Sequence, residues 1–271
     1  MFNTLRKQRS AQFIFFLYLF FIGWWLSLQF GTDGFSFQNQ LFGGAYWIVA
    51  FFGTGMGFLV ARKWSFTKSL MGKAIVMFSF GLLAQVFGQL VYSWYTFYAR
   101  IDVPYPSLGD LGFFGSIPFY IYGIILLARA SGVKVSLKSF KNQIVAITVP
   151  AAILFLSYYI FLQGYVFDLH NPMKILLDFG YPLGQAIYVS LALLTYLLTR
   201  NVLGGVMKNR VLFMLFALTF QYFSDYFFLY WSSKGLAHPG GVIDLLYITS
   251  YLLMTIGLLQ MRVSQIREQL T

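Results

Sequence analysis

Four carboxylates are embedded in strongly apolar stretches, and they are the side chains with which this sequence could do chemistry. Asp225 lies deepest, about six residues from the predicted end of its helix, or roughly 9 Å at the α-helical rise. An ionised carboxylate at that depth is costly unless it is paired or hydrated. Two interpretations are open for it, a structural hydrogen bond and a role in binding or proton handling.

Asp110, Asp178 and Asp244 stand at the predicted starts of three other helices. A carboxylate in the first helical turn can accept hydrogen bonds from free backbone N–H groups and complements the helix dipole. Two roles are therefore open for these three acids, helix capping and ligand binding. For Asp178 capping is the weaker explanation, because Tyr181-Pro182 follows and Gln185 lies further along the same helix.

Amide side chains accompany the acids. Gln221 is one helical turn from Asp225, and Gln89 lies at a comparable depth of another apolar run. An acidic pocket of this kind would suit a cationic ligand or a pH response. The sequence therefore predicts an outward-facing ligand-binding site formed by Asp225, Gln89, Asp110, Asp178, Asp244, Gln185 and Gln221.

Other chemistries find little support. The absence of cysteine excludes thiolate metal sites and cysteine nucleophiles, and the only two histidines, His170 and His238, lie in loops. Glycine-rich phosphate loops, G-x-S-x-G and H-E-x-x-H are absent. We predict no catalytic residues, no metal site and no cofactor, and favour a noncatalytic protein while leaving an enzyme open.

Composition identifies the environment. Hydrophobic residues make up 59% of the 271 residues and charged residues only 10%, against roughly 25% charged in soluble proteins. So few charges cannot cover a surface exposed to water, so lipid must cover most of it. The sequence predicts an all-α integral membrane protein with eight transmembrane helices, at about 11–30, 43–61, 74–98, 111–128, 143–164, 176–198, 211–231 and 242–261.

Basic residues set the orientation. Of the 19 Lys and Arg residues, only Arg100, Lys174 and Lys234 fall in segments predicted to be outside. Basic residues accumulate in cytoplasmic loops, so the pattern places both termini in the cytoplasm, most readily across a prokaryotic cytoplasmic membrane. The same rule accounts for the net charge of +11 without a nucleic-acid partner.

A weak internal similarity relates the two halves of the chain. Gln85 in the third span corresponds to Gln221 in the seventh, and Gln89 to Asp225, at an offset of 136 residues. Asp110 corresponds to Asp244 at an offset of 134. We interpret the chain as a single transmembrane domain, 1–271, with parallel four-helix repeats in the halves 1–135 and 136–271 as the favoured hypothesis.

Several motifs resemble a known membrane region. The stretch from Tyr105-Pro106-Ser107 to Asp110 resembles the Tyr-Pro-Ser-x-x-Asp segment of a multispan bacterial membrane sensor region found in front of diguanylate cyclase and histidine kinase modules. The likeness extends to Asp178-Phe179-Gly180-Tyr181-Pro182, to Ser224-Asp225 and to Ile243-Asp244. It departs at Gln185, where an acid is expected. The resemblance implies a sensory input region, here with only ten residues after the eighth span and no output module.

Four functions follow from these observations as hypotheses. The leading one is a noncatalytic ligand-binding or sensor-like module in signalling. A transporter or proton-coupled carrier, a membrane-embedded lipid enzyme, and an accessory subunit of a membrane complex are the alternatives. The expected partners are the lipid bilayer and a separate cytoplasmic signalling protein or membrane complex, and a homo-oligomer stays open.

Overall fold

The computed structural model describes residues 8–31, 34, 36–132, 140–163, 167, 169–202 and 205–262. This part of the chain is all helical and contains eight helices that are long and apolar enough to cross a membrane. Their bounds are Arg9–Gln29, Phe37–Lys63, Leu70–Ala99, Leu108–Ala130, Gln143–Ile160, Pro172–Leu197, Met207–Ser232 and Val242–Gln260, called the first to eighth spans here. The prediction of a multispan membrane protein with eight helices is confirmed.

Several spans are locally irregular. The second consists of two helices, Phe37–Ala45 and Trp47–Lys63, that meet at Tyr46. The third continues from Leu70–Ser93 into a π-helical turn over Trp94–Ala99, and a second π-helical turn, Tyr158–Leu162, follows the helix Phe140–Ser157. The sixth and seventh spans lie within the longer helices Pro172–Val202 and Gly205–Ser233. A short 3₁₀ turn, Phe66–Lys68, joins the second and third spans.

Small polar residues begin several helices because the first turn leaves backbone N–H groups without partners. The Ser36 and Ser69 hydroxyls accept from the backbone N–H groups of Asn39 and Gly72. The Asn171 side chain accepts from the N–H of Lys174 at 3.1 Å, at the start of the sixth span. These caps fix where the apolar runs begin.

Six spans close on one another in a ring. The second packs on the third, the third on the fourth, the fourth on the sixth, the sixth on the seventh, the seventh on the eighth, and the eighth on the second again. The first span lies outside the ring against the eighth and second, and the fifth lies outside against the sixth and seventh. Exposed aromatic and aliphatic side chains, such as Phe16 and Leu19 on the first span, provide an apolar outer surface for lipid.

The two ends of the bundle differ in what they hold. Gln8 and Arg262 contact each other, with 3.4 Å between the guanidinium and Gln8 Oε1, so the described chain begins and ends at the same end. We call this the proximal end, and the opposite one, with the described residues 30–31, 36, 100–107, 163, 169–171 and 234–241 of its connections, the distal end. At the proximal end buried Arg210 donates to the Gln260 carbonyl, and Trp64 Nε1 donates to the Met261 carbonyl at 2.7 Å.

Candidate functional site

Asp225 points into the ring. Its carboxylate accepts a 3.0 Å hydrogen bond from Gln221 Nε2 on its own helix and a hydrogen bond from the Tyr247 hydroxyl of the eighth span. Tyr120 and Tyr188, which belong to the fourth and sixth spans, lie within electrostatic range of it. Asp225 is half-buried as a residue, so part of its surface remains accessible.

Gln221, which binds Asp225, and its neighbour Ser224 make further hydrogen bonds to the eighth span. Ser250 donates to Gln221 Oε1, which leaves the Gln221 amide nitrogen to bind the carboxylate. Ser224, on the adjacent position of the same helix, donates to the Leu246 carbonyl at 3.3 Å. The seventh and eighth spans are thereby fixed in register around the acid.

Asp244 and Gln89 meet at Tyr46. Gln89 Nε2 donates to the Tyr46 hydroxyl, which donates to the Asp244 carboxylate. Asp244 also accepts a 2.7 Å hydrogen bond from the backbone N–H of Gly240. The series joins the third, second and eighth spans, at the point where the two helices of the second span meet.

Tyr251 links these two acids. Its hydroxyl donates to Gln85 Oε1 at 3.3 Å and also pairs with Gln89. The charges of both Asp225 and Asp244 act on it. Tyr251, a tyrosine that the sequence analysis did not single out, is therefore hydrogen-bonded to Gln89 and lies within electrostatic range of both acids.

Asp110 and Asp178 form a separate group between the fourth and sixth spans. The Tyr181 hydroxyl donates to Asp110 Oδ1 at 2.8 Å, and the Tyr105 hydroxyl donates to Asp178 Oδ1 at 2.7 Å. Tyr105 and Tyr181 lie within electrostatic range of each other. The four acids thus fall into two pairs rather than one cluster.

Capping explains part of the role of Asp110. Its Oδ2 accepts from the Ser107 backbone N–H at 2.7 Å, and the Ser107 hydroxyl completes a capping box at the start of the fourth span. The remaining oxygen is the one that binds Tyr181. Asp178 is placed differently from the prediction, because its helix begins at Pro172 and the acid lies well inside it, where capping does not apply.

Gln185 is buried, with 3% of its surface exposed, and its Oε1 has no hydrogen-bond partner within the described part of the chain. The hydroxyl of Tyr120, also fully buried, likewise has no hydrogen-bond partner among the described residues. A buried polar atom without a partner is costly and requires an explanation, such as a missing ligand or water.

Tyrosines are the functional side chains that sequence reasoning missed. Tyr46, Tyr181, Tyr247 and Tyr251 each bind an acid or an amide of the predicted set. A periodic signal was present, since Tyr181, Gln185 and Tyr188 follow one another at spacings of four and three residues and so share a helical face. Abundant phenylalanine and tyrosine elsewhere obscured it.

Several contacts recur at the offset of the predicted repeat. Gln85 donates to Ser116 at 2.9 Å between the third and fourth spans, and Gln221 pairs with Ser250 between the seventh and eighth. A Cβ on Gly123 would lie 2.6 Å from the Phe78 ring, and one on Gly257 would lie 3.1 Å from Met214 Sδ. The third–fourth and seventh–eighth pairs therefore pack in the same register.

The tyrosine–carboxylate bonds recur too. Tyr46 of the second span binds Asp244 of the eighth, and Tyr181 of the sixth binds Asp110 of the fourth. The tyrosines are 135 residues apart and the acids 134. Each bond joins one half of the sequence to the other.

Among the described residues, metal binding does not compete with this arrangement. Within the ranges that the structure describes, histidines and carboxylates form no group of three or more able to hold a metal ion. Asp33 and Asp168 lie outside those ranges. Comparison with known proteins adds nothing further, since no family model, curated protein or solved structure matches the chain.

Proposed function

We propose that the chain is a noncatalytic ligand-binding, sensor-like membrane protein whose site is centred on Asp225 and takes a cationic ligand. The observation that carries this proposal is a half-buried carboxylate inside the helix ring whose hydrogen-bond partners, the Gln221 amide and the Tyr247 hydroxyl, are neutral. A negative charge among apolar spans is stabilised by a counter-ion, and a cationic ligand would provide one.

The proposal extends to the surroundings of the site. Asp244 and Gln89 belong to it through Tyr46 and Tyr251, while Asp110 and Asp178 line a second polar region between the fourth and sixth spans. The distal end faces outward and both termini face the cytoplasm of a prokaryotic cell, as the distribution of basic residues indicates. A separate cytoplasmic protein would receive the signal, in keeping with the motif resemblance.

Duplication of a four-helix unit is part of the same proposal. Exchanging spans one to four with five to eight leaves the order around the ring unchanged, and the contacts at offsets of 134 to 136 residues support the equivalence. The repeats would be parallel and related by an axis along the membrane normal. Asp225 then occupies the position of Gln89, so one half carries a charge where the other is neutral.

A cation carrier is the second candidate. The bonds from Tyr46 to Asp244 and from Tyr181 to Asp110 both cross between the halves, and relative motion of halves around a site is how many carriers work. Uptake of the bound cation into proteoliposomes would favour the carrier, and binding without uptake would favour the sensor.

The test is a thermal unfolding measurement, by tryptophan fluorescence in lipid nanodiscs, with small monovalent cations titrated at constant ionic strength. Tetrabutylammonium, which is too bulky for an interior site, replaces the titrated cation so that the ionic strength stays constant. A cation present at ten times its dissociation constant should stabilise the native protein by about 1.4 kcal/mol. Asp225→Asn should abolish this stabilisation and Asp102→Asn, at an exposed acid, should retain it. Equal stabilisation of both variants, or none of the native protein, would contradict the proposal.

A further inference from the structure

The turn 238–241, which leads from the seventh span into the eighth, is held by side chains of the first and second spans. Each of three successive backbone carbonyls accepts one 3.1 Å hydrogen bond from a side-chain N–H, with Pro239, Gly240 and Gly241 as acceptors and Asn39, Gln29 and Trp25 as the respective donors. A Cβ on Gly34, in the connection between the first two spans, would lie 3.1 Å from the His238 ring. These contacts fasten the turn, called the distal turn here, to elements other than the two helices that it joins.

The distal turn lies against Asp244. Its Gly240 N–H donates to Asp244 Oδ2 at 2.7 Å. On the second span a Cβ at Gly43 would lie 3.3 Å from Pro239 Cβ and 3.6 Å from Asp244 Oδ2, so the helix backbone there is next to both the turn and the acid. Asp244 is in the first turn of the eighth span, whereas Asp225 lies seven residues inside the distal end of the seventh. A cation that approaches from the distal end therefore meets the turn first, then Asp244 and then Asp225.

Two glycines give the distal turn freedom to move. Gly235 and Gly240 have φ angles of +66° and +71°, and glycine adopts positive and negative φ about equally readily. The backbone on both sides of Pro239 can therefore rotate without a Cβ clash, and small residues commonly serve as the hinges of lids. The side-chain bonds to the turn are individually modest, since the loss of one typically shifts an equilibrium about two- to tenfold. The turn can thus open while the spans keep their helical hydrogen bonds.

The connection that leads into the fourth span is built differently. Residues 100–107 precede Asp110 and include Pro104 and Pro106 but no glycine. The proline ring fixes φ, so this segment has less backbone freedom than the distal turn. Asp110 is also held by its own capping box and by Tyr181. The segment beside Asp110 therefore provides an internal control for the one beside Asp244.

We propose that the distal turn is a lid that opens the outer entrance to Asp244 and so to the ligand site. The inference rests on the proposed function for the ligand that passes, whereas movement of the lid can be measured without any ligand. Opening breaks the three carbonyl bonds and withdraws the Gly240 N–H from Asp244. The carboxylate thereby loses a partner when a cation can reach it, and the entering cation replaces the broken bond.

Thiol modification in lipid nanodiscs measures how often the lid opens. The chain has no native cysteine, so Asp244→Cys and, separately, Tyr46→Cys give single reporter thiols beneath the turn. The cationic reagent trimethylammonium-ethyl methanethiosulfonate should modify each about tenfold faster when Trp25→Phe and Gln29→Leu remove two of the three carbonyl bonds. Asp110→Cys should react at the same rate in both backgrounds. Unchanged rates at both reporters, or an equal rise at Asp110→Cys through general loosening, would overturn the lid.

A reversible disulfide provides the opposite test. The 3.3 Å between the Gly43 and Pro239 Cβ positions is close to the roughly 3.5–4.5 Å of disulfides, so Gly43→Cys with Pro239→Cys should form one on oxidation. Labelling of the Asp244 carboxyl by a water-soluble carbodiimide, quantified by mass spectrometry, should be at least about tenfold slower in the oxidised than in the reduced protein. Exposed Asp102 should be labelled equally in both. Equal labelling of Asp244 in the two states would contradict the lid.

The outcomes separate the lid from the proposed function. If cations stabilise the protein through Asp225 but neither reagent depends on the distal turn, the lid is overturned and the cation site stands. If both reagents depend on the turn but no cation effect requires Asp225, the lid over Asp244 stands and the proposed function fails.

Discussion

Tyr181 binds Asp110 across the junction of the sixth and fourth spans, with 2.8 Å between the hydroxyl and Oδ1. Asp110 is only 6% exposed, so water cannot easily replace the lost partner. Tyr181→Phe should therefore lower the free energy of unfolding by roughly 1.5–3 kcal/mol, the range for hydrogen bonds to charged groups. Denaturant titration in mixed micelles measures it, and Tyr46→Phe should give a similar loss through Asp244.

The matched control for this pair is Tyr105→Phe. Its hydroxyl also binds a carboxylate, Asp178 Oδ1, but Tyr105 is 45% exposed and the bond faces solvent. A change below roughly 0.5 kcal/mol is expected there, because water replaces the bond. Equal losses at Tyr105 and Tyr181 would show that burial of Asp110 does not strengthen its contact.

Cysteine cross-linking can test the exchange of contacts between halves, since the native chain contains no cysteine. Tyr46→Cys combined with Asp244→Cys, and Tyr181→Cys combined with Asp110→Cys, should cross-link with a short bifunctional thiol reagent. The swapped combinations, Tyr46 with Asp110 and Tyr181 with Asp244, provide the control and should not. Cross-linking of swapped and native pairs to the same extent would refute the arrangement.

Close contact between the third and fourth spans predicts a large difference between two glycines of one helix. A Cβ on Gly112 would lie 2.6 Å from the backbone nitrogen of Gly88 and near the Ala84 carbonyl, and a rigid backbone cannot yield. Gly112→Ala should destabilise the protein by more than about 2 kcal/mol, as overpacking does. Gly115→Ala meets nothing within 4 Å and should be neutral or stabilising by up to about 1 kcal/mol. Thermal unfolding of the two variants gives the comparison.

Tyr120 and Tyr188 offer a second matched pair in the absence of ligand. Among the described residues the Tyr120 hydroxyl is buried without a partner, whereas the Tyr188 hydroxyl donates to the Leu218 carbonyl at 3.3 Å. Tyr120→Phe should leave stability unchanged or raise it by roughly 1 kcal/mol, because a desolvated hydroxyl is removed. Tyr188→Phe should lower it by roughly 0.5–1.5 kcal/mol. A loss at Tyr120 as large as at Tyr188 would mean that its hydroxyl is satisfied after all.

Topology is tested by reporter fusions placed after Lys138 and after Lys234. The positive-inside pattern predicts the first position in the cytoplasm and the second outside. Alkaline phosphatase, active only outside, and green fluorescent protein, fluorescent only inside, should therefore give opposite results at the two positions. The same side for both would overturn the orientation.

Hydropathy was sufficient to predict the eight spans, because each must be about 20 apolar residues long. Hydropathy was least accurate for the first residue of a span whose first turn contains polar residues. The sixth span was predicted from residue 176 but begins at Pro172, where Asn171 caps the first turn and Lys174 hides the helix from a hydropathy window. Asp178 consequently lies deeper in its helix than expected.

The contacts of the site were harder to predict than its acids. Asp225 could be recognised because a charge in an apolar run is unusual, but its partner Tyr247 lies on another span, and tyrosine is common throughout this chain. Tyr46 and Asp244 are even further apart in sequence. Only the packing order of the spans brings such residues together, and a single sequence does not contain that order.

The closure of the ring by the eighth span affects how the protein is made. Tyr46 is synthesised 198 residues before Asp244, an interval of about 10–40 s at translation rates of about 5–20 residues per second. Throughout that time the second span is already in the bilayer without the Asp244 partner of its tyrosine, and the surface that packs on the eighth span is covered only by lipid. Biogenesis therefore includes a long-lived open intermediate, in which an insertion chaperone has time to act and a misassembled second copy has time to bind.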